Sequence, residues 1–117
     1  ASAAVIARGM ERMVHEFYSL CETIHSNSTK LLLMSPPYLT RAKTGQYSDP
    51  CCNEESEEKA RALAEYYRNI ALRNHCFFMD AAQYAQPSGI DGMHLGEDGH
   101  AQLGKAIAQF ILQEDRI

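Results

Sequence analysis

No run of apolar residues in these 117 residues approaches the roughly 20 needed to cross a bilayer, so a helical membrane span is excluded. Glycine and proline are scarce, at 7 and 4, and this excludes collagen-like and low-complexity sequence. Basic residues are outnumbered, 11 Lys and Arg against 15 Asp and Glu, for a net charge of −4. Without a basic excess there is nothing to neutralise a phosphate backbone, and nucleic acid is not an expected partner. The four cysteines, Cys21, Cys51, Cys52 and Cys76, form no disulfide framework: two are adjacent, where a bridge is strained. The reducing cytoplasm is therefore the expected compartment. The chain also lacks both a signal peptide and an initiator Met, opening Ala1-Ser2-Ala3-Ala4. That opening is read as a piece of a longer protein.

What is present is globular: 45% hydrophobic and 22% charged is too apolar for disorder. From Ala3 to His25, Ile6, Met10, Met13, Val14, Phe17, Cys21 and Ile24 recur at three- and four-residue steps. They predict an amphipathic helix with one apolar stripe, ended by Ser26-Asn27-Ser28. Leu31-Leu32-Leu33-Met34 is too short for a helix and suits a strand buried on both faces, halted by Pro36-Pro37. The irregular stretch 36–53 leads into Glu54-Glu55-Ser56-Glu57-Glu58, whose carboxylates oppose the dipole of a second helix. Cys76-Phe77-Phe78-Met79 predicts a second buried strand ending at Asp80, and a third helix is predicted from about Glu97 to Gln113.

The order helix, strand, helix, strand, helix points to α/β with a parallel sheet. Two such strands make a marginal sheet, because parallel pairs occur almost only inside larger covered sheets. Further strands are therefore expected beside them, supplied by another segment or a partner.

The chemistry concentrates in Ser88-Gly89-Ile90-Asp91-Gly92-Met93-His94-Leu95-Gly96. Asp91 and His94 lie three apart in a Gly-containing turn before a helix. In such a turn a carboxylate can hold Nδ1–H and leave Nε2 as a general base. On spacing alone, a capped turn beside an ordinary surface histidine is the better fit. Metal readings are weaker. Cys51, Cys52, His75 and Cys76 lack paired ligand spacing, and His94 and His100 point apart across a helix start. No cofactor or metal is expected. Pro36-Pro37-Tyr38 is either a pocket lining or a rigid exit from the first strand.

Asp91-Gly92-Met93-His94-Leu95, with Gly99-His100 and the Leu103 helix after it, resembles the last block of the SGNH (GDSL-type) hydrolases. Leu32-Leu33-Met34-Ser35-Pro36-Pro37 resembles the strand-to-loop stretch of their arylesterase-like members. Phe77-Phe78-Met79-Asp80-Ala81 resembles the strand before their catalytic loop. The resemblance runs from the first helix to the last. It implies a flavodoxin-like, three-layer α/β/α fold, with residues 1–117 as the C-terminal portion of one domain. It also implies a serine esterase acting on small acyl or acetyl esters, with His94 as general base and Asp91 as its orienting carboxylate.

The family's Gly-Asp-Ser block and its oxyanion-hole blocks have no counterpart here. Ser2, Ser19, Ser35, Ser48, Ser56 and Ser88 all lie outside that context, so the nucleophile is expected on an N-terminal segment and the chain alone is expected to be inert. A homo-oligomer is a further option. The rival class is a noncatalytic α/β module that associates through its sheet edge. A stand-alone flavodoxin-like binding domain ranks last, for want of a Gly-rich phosphate loop after the first strand.

Overall fold

A computed structural model of the chain describes residues 1–114, the last of them through its main chain alone. Helix α1 spans Ala3–Thr23, strand β1 Leu32–Ser35, helix α2 Glu54–Asn74, strand β2 Phe77–Asp80 and helix α3 Glu97–Glu114, with a 3-10 turn at Ala81–Gln83 after β2. Each boundary has a local cause. The Ser2 hydroxyl accepts from the Val5 N–H at the start of α1. Asn53 and Ser56 form a reciprocal capping box at the start of α2, where Glu54, Glu55 and Glu57 face the positive end of the helix dipole. Both α1 and α2 end with a histidine in the left-handed region, His25 at φ 57° and His75 at φ 56°. These turns return the last helical carbonyls to main-chain donors, Ser26 to Cys21 and Cys76 to Ala71.

The strands pair parallel with Leu32 opposite Phe77 and Ser35 opposite Asp80. Adjacent residues on a strand point to opposite faces, so Leu33 and Phe78 share one face and Phe77 takes the other. Leu33 joins Ala7 and Val14 of α1 and Tyr67, Ile70 and Ala71 of α2 in the core, with Phe78 packed against it. Across the sheet, Phe77 meets Phe110 of α3 edge-on, ring centroids 5.8 Å apart. The result is three layers, α1 with α2, then the sheet, then α3. It is an α/β arrangement, as the sequence predicts.

A polar clamp closes the helix pair: Arg73 of α2 grips both carboxylate oxygens of Glu11 of α1 at 3.0–3.2 Å, and Asn74 adds a bond of 2.8 Å. The Arg73 guanidinium, ahead of Asn74, holds the Glu11 carboxyl below its usual range. Asn74 also takes His15 Nε2 at 2.9 Å, giving that histidine a structural contact.

One expectation needs correction. The single stripe predicted on α1 splits in two: Val14 and Cys21, with Ala3 and Ala7 beside them, reach the interior, while Ile6, Met13 and Ile24 stay 40–62% exposed. The apolar residues cover more of the helix circumference than α2 and β1 can cover. The sheet holds β1 and β2 and no third strand among the described residues, which leaves the neighbours expected for such apolar strands to another segment or a partner. The interior is correspondingly thin, and alanine makes up seven of its thirteen buried hydrophobic residues among those described. The radius of gyration is 16.0 Å, against roughly 13 Å for a compact domain of this length.

Candidate active site

β1 and β2 end side by side at Ser35 and Asp80, where the two long connections leave the sheet. The Ser35 hydroxyl, fully buried, donates to Asp80 Oδ1 at 3.0 Å, and the same oxygen accepts the Ala82 N–H at 3.1 Å. A buried carboxylate without such donors is costly. Here the pair joins the two strand ends and starts the 3-10 turn. Sequence pattern gave no sign of this; a serine after an apolar run reads as a strand terminus.

Beyond Asp80 the chain makes a loop pinched at its base by the Ser88 N–H to His94 carbonyl bond, 2.7 Å, and by bridging of Pro87 to Leu95. Inside it, Gly92 takes φ +69° and its N–H returns to the Ser88 carbonyl at 2.8 Å. That geometry folds Asp91 back over His94. Asp91 Oδ1 accepts the main-chain N–H groups of Met93 at 2.8 Å and His94 at 2.9 Å, and Oδ2 meets His94 Nδ1 at 2.6 Å. The main-chain N–H of His94, then its ring and the N–H of Met93, hold the Asp91 carboxyl at about 2, below the ordinary 3.8. A carboxylate that stays ionised on Nδ1 fixes the ring with its proton on that atom and a lone pair on Nε2. The His94 side chain is 80% exposed, and Nε2 makes no hydrogen bond among the described residues.

The segment after β1 lies across this loop. The Thr40 N–H donates to the Gly92 carbonyl at 2.9 Å, the Lys43 N–H to the Gly89 carbonyl at 2.7 Å, and the Ser48 hydroxyl to the Asp91 carbonyl at 2.8 Å. The structure thus brings together Asp91 and His94, as the sequence predicts, and adds Ser48, which sequence reasoning passed over because nothing in residues 36–53 marks it.

Among the described residues no serine hydroxyl is hydrogen-bonded to the His94 ring. Ser2 and Ser56 cap helices, Ser35 serves Asp80, Ser48 serves the Asp91 carbonyl, and Ser88 accepts the Ile90 N–H. An open cleft of about 580 Å³ beside the site is lined by Gln86, Pro87, Ser88 and Ile90 and by the start of α3, not by His94. The cysteines are free thiols, and no group of three or more His, Cys, Asp or Glu side chains is placed to hold a metal among the described residues. No helix among them is long and apolar enough to cross a membrane.

No protein-family model and no curated protein matches the chain. Solved structures do. The native aryl esterase of M. smegmatis superposes with a TM-score of 0.81 at 26% identity, over 97% of this chain and 53% of that one. A carbohydrate acetylesterase from Sinorhizobium meliloti gives 0.79 at 26% identity, over 97% and 53%. A protein assigned as an arylesterase from Agrobacterium tumefaciens gives 0.78 at 26%, over 92% and 50%. The chain spans about half the length of the structures it matches. Its fold is that of an SGNH-type esterase, and its α/β elements are consistent with the C-terminal half.

Proposed function

We propose that this chain is the Asp-His half of an SGNH-type serine esterase for small acyl or acetyl esters, with the serine on an N-terminal segment of the same domain. One observation carries the reading: the 2.6 Å contact of His94 Nδ1 with Asp91 Oδ2, on a loop beyond the carboxyl ends of the sheet. The likeness to esterase structures about twice as long supports it. So does the apolar surface left open on α1, which a longer domain would cover.

In this mechanism His94 Nε2 takes the serine proton as the hydroxyl attacks the ester carbonyl. The proton then goes to the leaving alcohol as the acyl-enzyme forms. His94 next takes a proton from water, whose oxygen attacks the acyl group, and returns it to the serine. Asp91 remains ionised throughout and stabilises the imidazolium in each step. No cofactor enters. The rival, a noncatalytic module, would use the same apolar surface and sheet edge for association but would have no need of the Asp91–His94 geometry.

The test is reconstitution with an N-terminal segment carrying Gly-Asp-Ser, assayed on a short-chain acetyl ester. Turnover is expected only in the combined protein, and His94→Ala should lower it by about 10³-fold or more. A fluorophosphonate probe should label the N-terminal segment and leave this chain unlabelled. Labelling on a serine of this chain, or full turnover in His94→Ala, overturns the assignment.

A further inference from the structure

We infer that Ser48 is a positioning residue for the Asp91–His94 pair, acting through a strap that residues 40–48 lay across the loop. The role presupposes the catalytic reading above; the strap itself does not. Three hydrogen bonds join strap and loop, two of them from main-chain N–H groups of Thr40 and Lys43. Ser48 supplies the third and, among the described residues, the only one made by a side chain. It falls on the carbonyl of Asp91 itself.

The strap can bear on that carbonyl because it is fixed at its other side. It reverses at Ala42–Gln46, closed by a 2.9 Å main-chain bond and by Gly45 at φ +86°, so that Ser48 comes back to the loop already crossed by Thr40. Arg41 anchors it to the start of α2 through Glu54 at 3.1 Å and lies over the Tyr47 ring, 4.6 Å from its centroid. Tyr38, just upstream, lies beneath Arg61 of α2 at 4.5 Å.

The Asp91–Gly92 peptide is thereby held at both of its polar atoms, and the peptide after it at its carbonyl. Ser48 donates to the Asp91 carbonyl, Thr40 donates to the Gly92 carbonyl, and the Gly92 N–H binds the Ser88 carbonyl. Rotation of that peptide would swing the Asp91 side chain away from the Met93 and His94 N–H groups and from His94 Nδ1. Ser48 limits the rotation and so keeps the imidazole aimed. Its hydroxyl is spent on this contact, which separates it from a nucleophile.

Amide hydrogen exchange on the 117-residue chain tests the strap. In Ser48→Ala the Met93 and His94 amides should exchange roughly 10-fold faster while that of Ile70, in the core of α2, keeps its rate. Ser48→Thr, which retains the hydroxyl, should restore the slow exchange. Unchanged Met93 and His94 amides in Ser48→Ala, or equal acceleration at Ile70, overturns the inference. In the reconstituted esterase, Ser48→Ala should lower kcat roughly 10-fold at constant KM, with Ser48→Thr recovering it. Full kcat in Ser48→Ala, where His94→Ala is inactive, also overturns it. Full turnover in His94→Ala sinks the catalytic reading instead and leaves the exchange result standing as a structural strap.

Discussion

Replacing Gly92 by alanine should break the site without touching either Asp91 or His94. Gly92 sits at φ +69°, where a residue bearing a Cβ costs about 1–2 kcal/mol. The new Cβ would lie 2.1 Å from the Thr40 carbonyl oxygen, 2.7 Å from its carbon and 3.0 Å from the Arg41 carbonyl carbon. All three are main-chain atoms, so no rotamer change relieves the clash. Strap and loop must separate by about 1 Å to reach ordinary contact. That lengthens the 2.9 Å bond from Thr40 to Gly92 past a useful distance and loosens those of Lys43 and Ser48. Each is worth roughly 1 kcal/mol. The summed loss is about 2–4 kcal/mol, read as a fall in the urea midpoint at unchanged slope. In the reconstituted enzyme a 1 Å displacement of the base should cost on the order of 10²-fold in turnover. Gly104→Ala is the matched control, because its Cβ would meet nothing within 4 Å inside α3. It should stabilise the chain by about 0.5–1 kcal/mol through helix propensity. If Gly92→Ala keeps the wild-type midpoint and turnover, the contact between strap and loop does not hold the site.

The Asp91 carboxyl should titrate near 2, visible by carbon NMR, and not at its ordinary 3.8. Because the folded value is the lower one, its stabilising contribution is complete above about 4 and is lost as pH falls toward 2. The stability gap between wild type and Asp91→Asn should accordingly shrink over that interval, and a carboxyl titrating at 3.8 would contradict the geometry. Ile70 is 2% exposed at the centre of the core, so Ile70→Ala should cost about 3 kcal/mol in urea denaturation. A loss under about 1 kcal/mol would mean that the α1–α2 core contributes little.

Helix and strand positions were legible because they follow from local chemistry. Three- and four-residue apolar spacing, the acidic run from Glu54 and two short apolar runs place both strands and the starts of all three long helices within one or two residues, while the 3-10 turn at Ala81–Gln83 had no such signal. The Asp91–His94 pair was legible through the resemblance of its block to the SGNH hydrolases, because three residues of separation alone suit an ordinary capped turn; the contact itself is local. Burial on α1 was not legible. Ile6 and Val14 look alike in a helical pattern, and only the packing of α2 sends Val14 inward and leaves Ile6 in solvent.

The bonds that hold the site were hidden altogether, since they connect residues far apart in the chain. Ser35 reaches Asp80 across 45 positions and Ser48 reaches Asp91 across 43. A serine in a loop carries no pattern that names so distant a partner. The sequence by itself determined the three long helices, the two strands and their order, set by interactions within a few residues, and it pointed to the Asp91–His94 pair through the resemblance of its block. Tertiary structure alone decided which strand ends are tied together, which loop straps the pair, and which apolar faces remain open, because each depends on segments that meet only when the sheet forms.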